Sequence, residues 1–270
     1  MKLSNTFSRR NRILLRELVV TDFKLRYQGS VLGYLWSLLK PLFMFAILYV
    51  VFGHFAKLDG GIEHFAVYLL LGIIFWTFFT EATNQGLASI VERGDLIRKI
   101  NFPKYIIVIS GTLSAFINLL LNLVIFAVFL VINGVNLHMS ALLFPLYIIE
   151  MYVFSLSLAF FLSASYVKYR DISHIWEVLL QGAFYATPIL YALQIVFSVS
   201  DTAAKIMLLN PVAQIIQDSR DALVTTQTLT SADLIQNPLV RLIPFVLVGV
   251  LIVVASYYFK KHSRYFSENV

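Results

Sequence analysis

Apolar stretches of about twenty residues, each long enough for a helix to cross a bilayer core of about 30 Å, recur along this chain. A backbone in lipid must satisfy its hydrogen bonds internally, so such stretches cross membranes as helices. Only 13% of the 270 residues are charged, about half of the share found in soluble domains. The chain is therefore predicted to be an all-α integral membrane protein.

Six membrane spans account for these stretches. They are predicted at Leu38–Phe55, Phe65–Ala82, Tyr105–Ile132, Ala141–Val167, Ile175–Phe197 and Leu242–Phe259. The whole chain, residues 1–270, then forms a single transmembrane domain. Residues 1–37 are expected to form a cytoplasmic interfacial helix and collar, 38–259 the six-span core, and 260–270 a cytoplasmic tail.

Positive charges are unevenly distributed across this predicted topology. Seventeen of the 21 lysines and arginines fall on the side that holds both termini, and four fall on the other side. Because Lys and Arg are retained on the cytoplasmic side of a membrane, both termini are expected to be cytoplasmic. The net charge of +6 then follows from topology and anionic lipid rather than from nucleic-acid binding.

A basic, aromatic and glycine-containing collar leads into the first span. It covers residues 26–41, RYQGSVLGYLWSLLKP, where two glycines permit a bend and aromatic side chains are expected at headgroup depth. Before it, Phe7–Tyr27 is predicted to be an amphipathic helix on the membrane surface, with Leu14 and Leu18 on its apolar stripe. The collar is thus expected to be a hinge between a surface helix and the first span.

Two predicted internal loops carry mixed charges beside apolar residues. The first runs from Asn84 to Pro103 and the second from Lys168 to Glu177. One interpretation is that they are ordinary solvated turns with positive-inside charge. The other is that they form short helices that dock a cytoplasmic partner. Their acidic residues favour the second interpretation, because topology alone requires only Lys and Arg.

The external side is dominated by residues 198–240, and Pro188 interrupts the fifth span before them. A proline within a span frees backbone groups that protein or water must satisfy. A re-entrant pair of half-helices is therefore expected at about 186–225, with a simple kink and a loose loop as the alternative. A short amphipathic helix is predicted after Asn210-Pro211. Its polar side is expected to hold Gln217, Asp218 and Arg220.

Clustered aromatic side chains within the spans exceed what an interfacial belt requires. Aromatic faces stack on the apolar faces of sugar rings, so these residues are candidates for lining a glycan path. They are Phe75, Trp76, Phe78 and Phe79 in the second span and Tyr185 and Tyr191 around Pro188. Asn118 and Asn122 extend the candidate lining in the third span together with Ser114, although such polar stripes more often join helices.

The sequence offers no constellation for catalysis or for a proton relay. Its five histidines are scattered, it has no cysteine, and it has no G-x-x-x-x-G-K-[ST] loop for binding ATP. Glu81 and Glu150 lie within predicted spans but lack His or Lys partners, which disfavours a channel or a secondary transporter. No enzyme activity, cofactor or metal is expected in this chain.

Three sequence blocks together resemble a known family. They are RYQGSVLGYLWSLLKPL, KYRDISHIWEVLLQGAFYATPILYAL and LNPVAQIIQDSRDAL. In this order and spacing they resemble the permease subunits of type 2 ABC exporters for polysaccharides, which are the O-antigen, capsule, galactan and teichoic acid exporters. The resemblance covers essentially the whole chain, although no single block would identify the family.

The resemblance implies an assembly and a cargo. Two copies of the chain would form a homodimer with a pore between them, and two copies of a separate cytoplasmic ABC ATPase subunit would bind ATP and Mg²⁺. The cargo would be a polyprenyl-diphosphate-linked glycan, moved from the cytoplasmic to the outer side of a bacterial or archaeal cytoplasmic membrane. The alternative is a type 2 ABC permease for a small drug or lipid, which has the same architecture.

Two groups of residues take on roles from this resemblance. The internal loops would be coupling helices that contact the ATPase through Glu92, Arg93, Asp95, Arg98, Lys168, Arg170, Asp171 and His174. The cargo headgroup would meet Arg9, Arg10, Arg12, Arg16, Arg26, Tyr34 and Trp36. Arginine suits a diphosphate, but anchoring to anionic lipid explains the same arginines equally well.

Overall fold

The computed structural model of the chain describes residues 9–27, 29–33 and 35–269, without the side chains at 23, 25–27 and 269. Tyr34 and the side chain of Arg26, both predicted to meet the cargo headgroup, lie outside the described residues. The described residues still include every predicted span, both internal loops and the external segment, so those predictions can be compared with the fold.

All regular secondary structure in the described part of the chain is helical. The helices are α1 (Arg9–Tyr27), α2 (Leu35–Leu48) with a π-helical continuation (Tyr49–Phe55), α3 (Phe65–Glu92), α4 (Gly94–Lys99), α5 (Tyr105–Ile132), α6 (Phe144–Lys168) after a 3₁₀ turn (Met139–Leu143), α7 (Ile172–Ala186), α8 (Leu193–Val199), α9 (Asp201–Leu208), α10 (Pro211–Leu223), α11 (Ser231–Leu234), α12 (Pro238–Arg241), α13 (Ile243–His262) and, after a 3₁₀ turn (Ser263–Tyr265), α14 (Phe266–Asn269).

Five helical stretches of the described residues are long and apolar enough to cross a membrane. They cover Leu35–Phe55, Phe65–Glu92, Tyr105–Ile132, Met139–Lys168 and Ile243–Glu268. Five of the six predicted spans overlap them. The second span was predicted to end at Ala82, but α3 continues to Glu92. The first part of the predicted first internal loop is therefore helical.

The predicted fifth span, Ile175–Phe197, is divided between α7 and α8 and is not among the five continuous candidate spans of the described residues. Helix α7 ends at Ala186 after 15 residues, about 22 Å of helix and shorter than a bilayer core of about 30 Å. Thr187 is extended, with φ −98° and ψ 136°, because a following proline disfavours helical dihedral angles. The predicted break at Pro188 is confirmed.

Helix α3 forms the centre of the molecule. Its residues 67–71 are fully buried, and it packs against α5 and α6. Helix α13 packs against α6, where the ring centroids of Phe160 and Phe259 lie 5.0 Å apart. Helix α1 packs against α5, with Leu14 and Leu18 in the same apolar cluster. The apolar stripe of α1 is thus directed at protein.

Gly86 lets α3 and α6 approach closely. A Cβ at this position would clash with the Cβ of Ala159 and lie 3.0 Å from its Cα. Small residues permit such close approach between membrane helices. Gly249 in α13 differs, because a Cβ there would meet no atom of the described residues within 4 Å. Gly86 therefore provides a test of the close approach, and Gly249 provides its matched control.

We expect Gly86→Ala to destabilise the protein and Gly249→Ala to leave its stability unchanged. The first substitution needs a backbone shift between α3 and α6, and overpacking of this kind costs about 1–3 kcal/mol. The second adds a methyl group in open space. Thermal unfolding of the purified variants in one detergent measures the difference. A melting temperature for Gly86→Ala equal to that of the unmodified chain would contradict the contact.

Candidate functional site

Three cavities meet at Asn84 on α3. One of about 540 Å³ lies between α1, α3 and α5, one of about 510 Å³ between α2, α3 and α5, and one of about 360 Å³ between α2, α3 and α7. Asn84 is exposed and lines all three. We name the three cavities together the polar cleft. Its polar and aromatic lining includes Asp22, Trp36, Lys40, Trp76, Thr80, Glu81, Asn84, Gln85, Arg93, Asn118, Asn122, Gln181 and Tyr185.

The polar cleft lies near one edge of the expected membrane. Asn84 follows Phe65, the first residue of α3, by nineteen residues, about 28 Å along a helix and close to the thickness of a bilayer core. Trp36 and Trp76 line the cleft, and Trp176 donates from Nε1 to Thr83 Oγ1 at 3.2 Å. Tryptophan is enriched at membrane–water interfaces, so the three tryptophans support this position.

A hydrogen-bonded network forms the back of the cleft. Glu81 Oε1 accepts from Gln85 Nε2 at 2.9 Å and from Asn118 Nδ2 at 2.7 Å. Asn122 Nδ2 donates to the carbonyl of Ser37 at 3.2 Å. Asn118 and Asn122 therefore join α2, α3 and α5, as the predicted polar stripe of the third span suggested, and they also face a cavity. Their role in lining a cargo path stays a prediction.

Three aromatic residues predicted to line a pore are core residues of the single chain. Phe75, Phe78 and Phe79 are 0%, 2% and 4% exposed. Phe79 stacks on Phe154 of α6, with ring centroids 5.7 Å apart. The pore-lining prediction is corrected for these three residues, because neighbouring helices of the same chain enclose their rings.

The other predicted aromatic residues are placed differently. Trp76 and Tyr185 line the cleft, and the side chain of Tyr191 donates to the carbonyl of Tyr185 at 2.9 Å. Tyr185 is 67% exposed. Trp76 and Tyr185, with Trp36 at the start of α2, give the polar cleft its aromatic rim.

A fully buried arginine closes the helix break on the other side of the molecule. Arg220 of α10 is 0% exposed. It donates to the carbonyls of Tyr68 at 2.9 Å, Pro188 at 2.6 Å and Ile189 at 2.9 Å. Its guanidinium carbon also lies 3.6 Å from the centroid of the Tyr68 ring. Arg220 therefore satisfies backbone groups that the break after α7 leaves without helical partners.

Neighbouring residues complete this arrangement. Gln217 Oε1 accepts from Arg220 Nη1 and from the Tyr68 hydroxyl, both at 2.9 Å. A Cβ at Gly72 would collide with Arg220 Nη2, so glycine is required where the guanidinium crosses α3. The predicted helix after Asn210-Pro211 is confirmed as α10. Its predicted polar side is corrected, because Gln217 and Arg220 are both buried.

The comparison with known families agrees with this architecture. Residues 13–224 match the model of the ABC-2 type transporter family. This match includes most of α1, the whole polar cleft and the Arg220 contacts. The chain belongs to the ABC-2 type transporter family.

Two relatives of this ABC-2 permease have the same name. The O-antigen export system permease protein RfbA of Myxococcus xanthus is 30% identical over 207 residues, which are 75% of this chain and 76% of that protein. The protein of that name from Klebsiella pneumoniae is 29% identical over 201 residues, which are 74% of this chain and 76% of that protein. The similarity therefore extends over most of both relatives.

The residues predicted to contact an ATPase in the first internal loop separate into two groups. Arg93 Nη2 is paired with Asp22 of α1, and Arg93 Nη1 donates to Ser110 Oγ of α5 at 2.7 Å. Arg93 therefore joins three elements within this ABC-2 permease. Asp95 and Arg98 of α4 pair at 2.8 Å and remain exposed. The exposed charged residues of the loop are Glu92, Asp95, Arg98 and Lys99.

The second internal loop is a tight corner rather than a separate short helix. Helix α6 ends at Lys168 and α7 begins at Ile172, so the predicted short helix is replaced by the first turn of α7. The predicted contacts Lys168, Arg170, Asp171 and His174 are all exposed. This corner and α4 present charged groups that a partner can reach.

The arginines of α1 are exposed and lie apart from the cleft lining. Arg9, Arg10, Arg12 and Arg16 are all exposed, and the α1 residue that lines the cleft is Asp22. Their predicted contact with a cargo headgroup stays a prediction.

The sequence did not single out Asn84, Lys40 or the buried role of Arg220. The signal for Arg220 was its position in the block that follows Asn210-Pro211.

We expect Arg220→Met and Arg220→Lys both to destabilise the ABC-2 permease. Leaving a buried carbonyl without its donor costs about 1–3 kcal/mol, and a lysine ammonium lacks the planar fork that reaches several acceptors. Lys205→Met is the control, because Lys205 makes a surface pair with Asp201, and such pairs contribute about 0–1 kcal/mol. Thermal unfolding in detergent tests all three. Full stability of Arg220→Lys would contradict the anchoring role.

Proposed function

We propose that this chain is the permease subunit of an ATP-driven exporter for a polyprenyl-diphosphate-linked polysaccharide. Two copies would form the membrane path, and two copies of a cytoplasmic ABC ATPase would bind ATP and Mg²⁺ and drive transport. The glycan would move from the cytoplasmic to the outer side of the cytoplasmic membrane. Membership of the ABC-2 family and the names of the two relatives support this assignment.

The observation that carries the proposal is the chemistry of the polar cleft. The polar cleft gathers the side-chain amides of Asn84, Gln85, Asn118, Asn122 and Gln181 beside aromatic rims. Amides hydrogen bond to hydroxyl groups, and aromatic faces cover the apolar faces of sugar rings. This chemistry favours a glycan over the alternative cargo, a small drug or lipid.

The exposed charges of α4 and of the corner between α6 and α7 support an ATPase contact. Both lie at helix ends on the side that positive charges mark as cytoplasmic. Asp95, Arg98, Arg170 and Asp171 are exposed there. A partner that moves these two elements would move α3, α5 and α7, which border the cleft. Nucleotide hydrolysis would thus be transmitted to the cargo path.

We expect export to require this chain and its ATPase together. The test uses cells that synthesise the glycan of the source organism but lack an exporter for it. Surface glycan is measured on intact cells with an antibody or a lectin, and lipid-linked glycan is measured inside them. Glycan should reach the surface when both subunits are present and accumulate inside when either is missing. Efflux of a small drug or lipid without glycan export would overturn the proposed cargo.

We expect Asp171→Lys to reduce binding of the ATPase subunit. The substitution reverses an exposed charge at the proposed contact, and like charges across an interface weaken association. Glu63→Lys is the matched control, since Glu63 is exposed near the start of α3, at the other end of the molecule. The amount of ATPase that co-purifies with the tagged permease is the measurement. Equal recovery with both variants would count against this corner as the contact.

A further inference from the structure

We propose that the polar cleft around Asn84 of each single chain is a binding site for a sugar ring. Asn84 and Gln85 would hydrogen bond its hydroxyl groups, and Trp36 would cover its apolar face. This inference rests on the proposed function, because the sugar would belong to the exported glycan. It adds that recognition takes place within one chain, near the proposed cytoplasmic edge of the membrane.

The free polar group at the centre of the cleft is Asn84. It is exposed, and its side chain makes no hydrogen bond to any described residue. A side-chain amide offers two donors and one acceptor, which matches the paired hydroxyl groups of a pyranose. Because Asn84 lines all three cavities, a ligand in any of them lies beside it.

The back of the cleft contains a second unpartnered group. Asn118 is 4% exposed, and its Oδ1 has no hydrogen-bond partner among the described residues. Its Nδ2 is held by Glu81 at 2.7 Å, so the amide is fixed with its acceptor unused. A buried acceptor without a partner costs about 1–3 kcal/mol. Asn118 lines the same cavity as Asn84, and we propose that a ligand hydroxyl in that cavity supplies the missing donor.

The aromatic rim and the charged side chains of the cleft suit a neutral, hydroxyl-rich ligand. Trp36 is 44% exposed on one wall, and Trp76 and Tyr185 lie on another. Lys40 and Glu81 bring one charge of each sign to the same cavity. A strongly anionic ligand would meet Glu81, and an apolar ligand would leave the side-chain amide of Asn84 without water or a partner. A sugar satisfies both requirements.

The test measures binding of three probes to the full chain in lipid nanodiscs with its ATPase. The probes are the lipid-linked glycan extracted from the source organism, the free glycan released from it by mild acid, and the polyprenyl diphosphate without sugar. Isothermal titration calorimetry is the readout. We expect the free glycan to bind the unmodified chain and the sugar-free carrier not to compete with it.

The variants locate the site. Asn84→Leu should weaken binding of the free glycan by about tenfold, the effect of losing one or two hydrogen bonds to a ligand. Asn136→Leu is the matched control, because Asn136 is also exposed but lies in the loop after α5. It should bind the glycan like the unmodified chain. Trp36→Leu should weaken binding, and Trp36→Phe should restore most of it through the remaining ring.

The outcomes separate this inference from the proposed function. Suppose that cells export the glycan but the free glycan does not bind, or that it binds Asn84→Leu and Trp36→Leu as tightly as the unmodified chain. In either case the sugar site is wrong and the exporter assignment stands. If no glycan is exported and no probe carrying sugar binds, the exporter assignment fails and the sugar site fails with it. Unchanged melting temperatures for the variants are expected, because neither side chain is buried.

Discussion

The contact between Arg220 and the carbonyls at the α7 break is the interaction on which the half of this permease around α10 depends. A proline-induced break leaves backbone acceptors that lipid cannot satisfy. One guanidinium reaches Tyr68 of α3 and both Pro188 and Ile189 of the break. It therefore fixes α10, α3 and the end of α7 relative to one another. The required glycine at position 72 shows that α3 is shaped for this contact.

The polar cleft depends on the same helix from its other end. Helix α3 holds Tyr68 at the Arg220 contact and Asn84 at the cleft. Helix α7 lines the cleft from Glu177 to Tyr185 and ends at the break. A central helix and a short, anchored neighbour thus border the cleft. Movement of α7 relative to α3 would change the cleft and the Arg220 contacts at the break together.

The sequence predicts the helices better than it predicts their partners. Hydrophobic run length located five spans, and Asn210-Pro211 located α10, because these signals are local. Gly86 was taken as part of a loop, whereas it is a contact with Ala159 on another helix. The aromatic cluster could not be assigned to core or pore, because only packing against residues such as Phe154 separates the two. Burial of Arg220 was equally hidden, since its carbonyl acceptors lie about 30 residues away or more.

The construction of the cleft suits a chain of repeating units better than a single tightly held ligand. Its back is preorganised, because Glu81 holds both Gln85 and Asn118. Its rim is open, because Asn84 and Trp36 are exposed. Preorganised groups bind with little loss of conformational entropy, whereas exposed side chains must be ordered at each contact. A polymer that is transported must bind each site and also dissociate from it easily. A fixed back favours binding, and an adjustable rim favours dissociation.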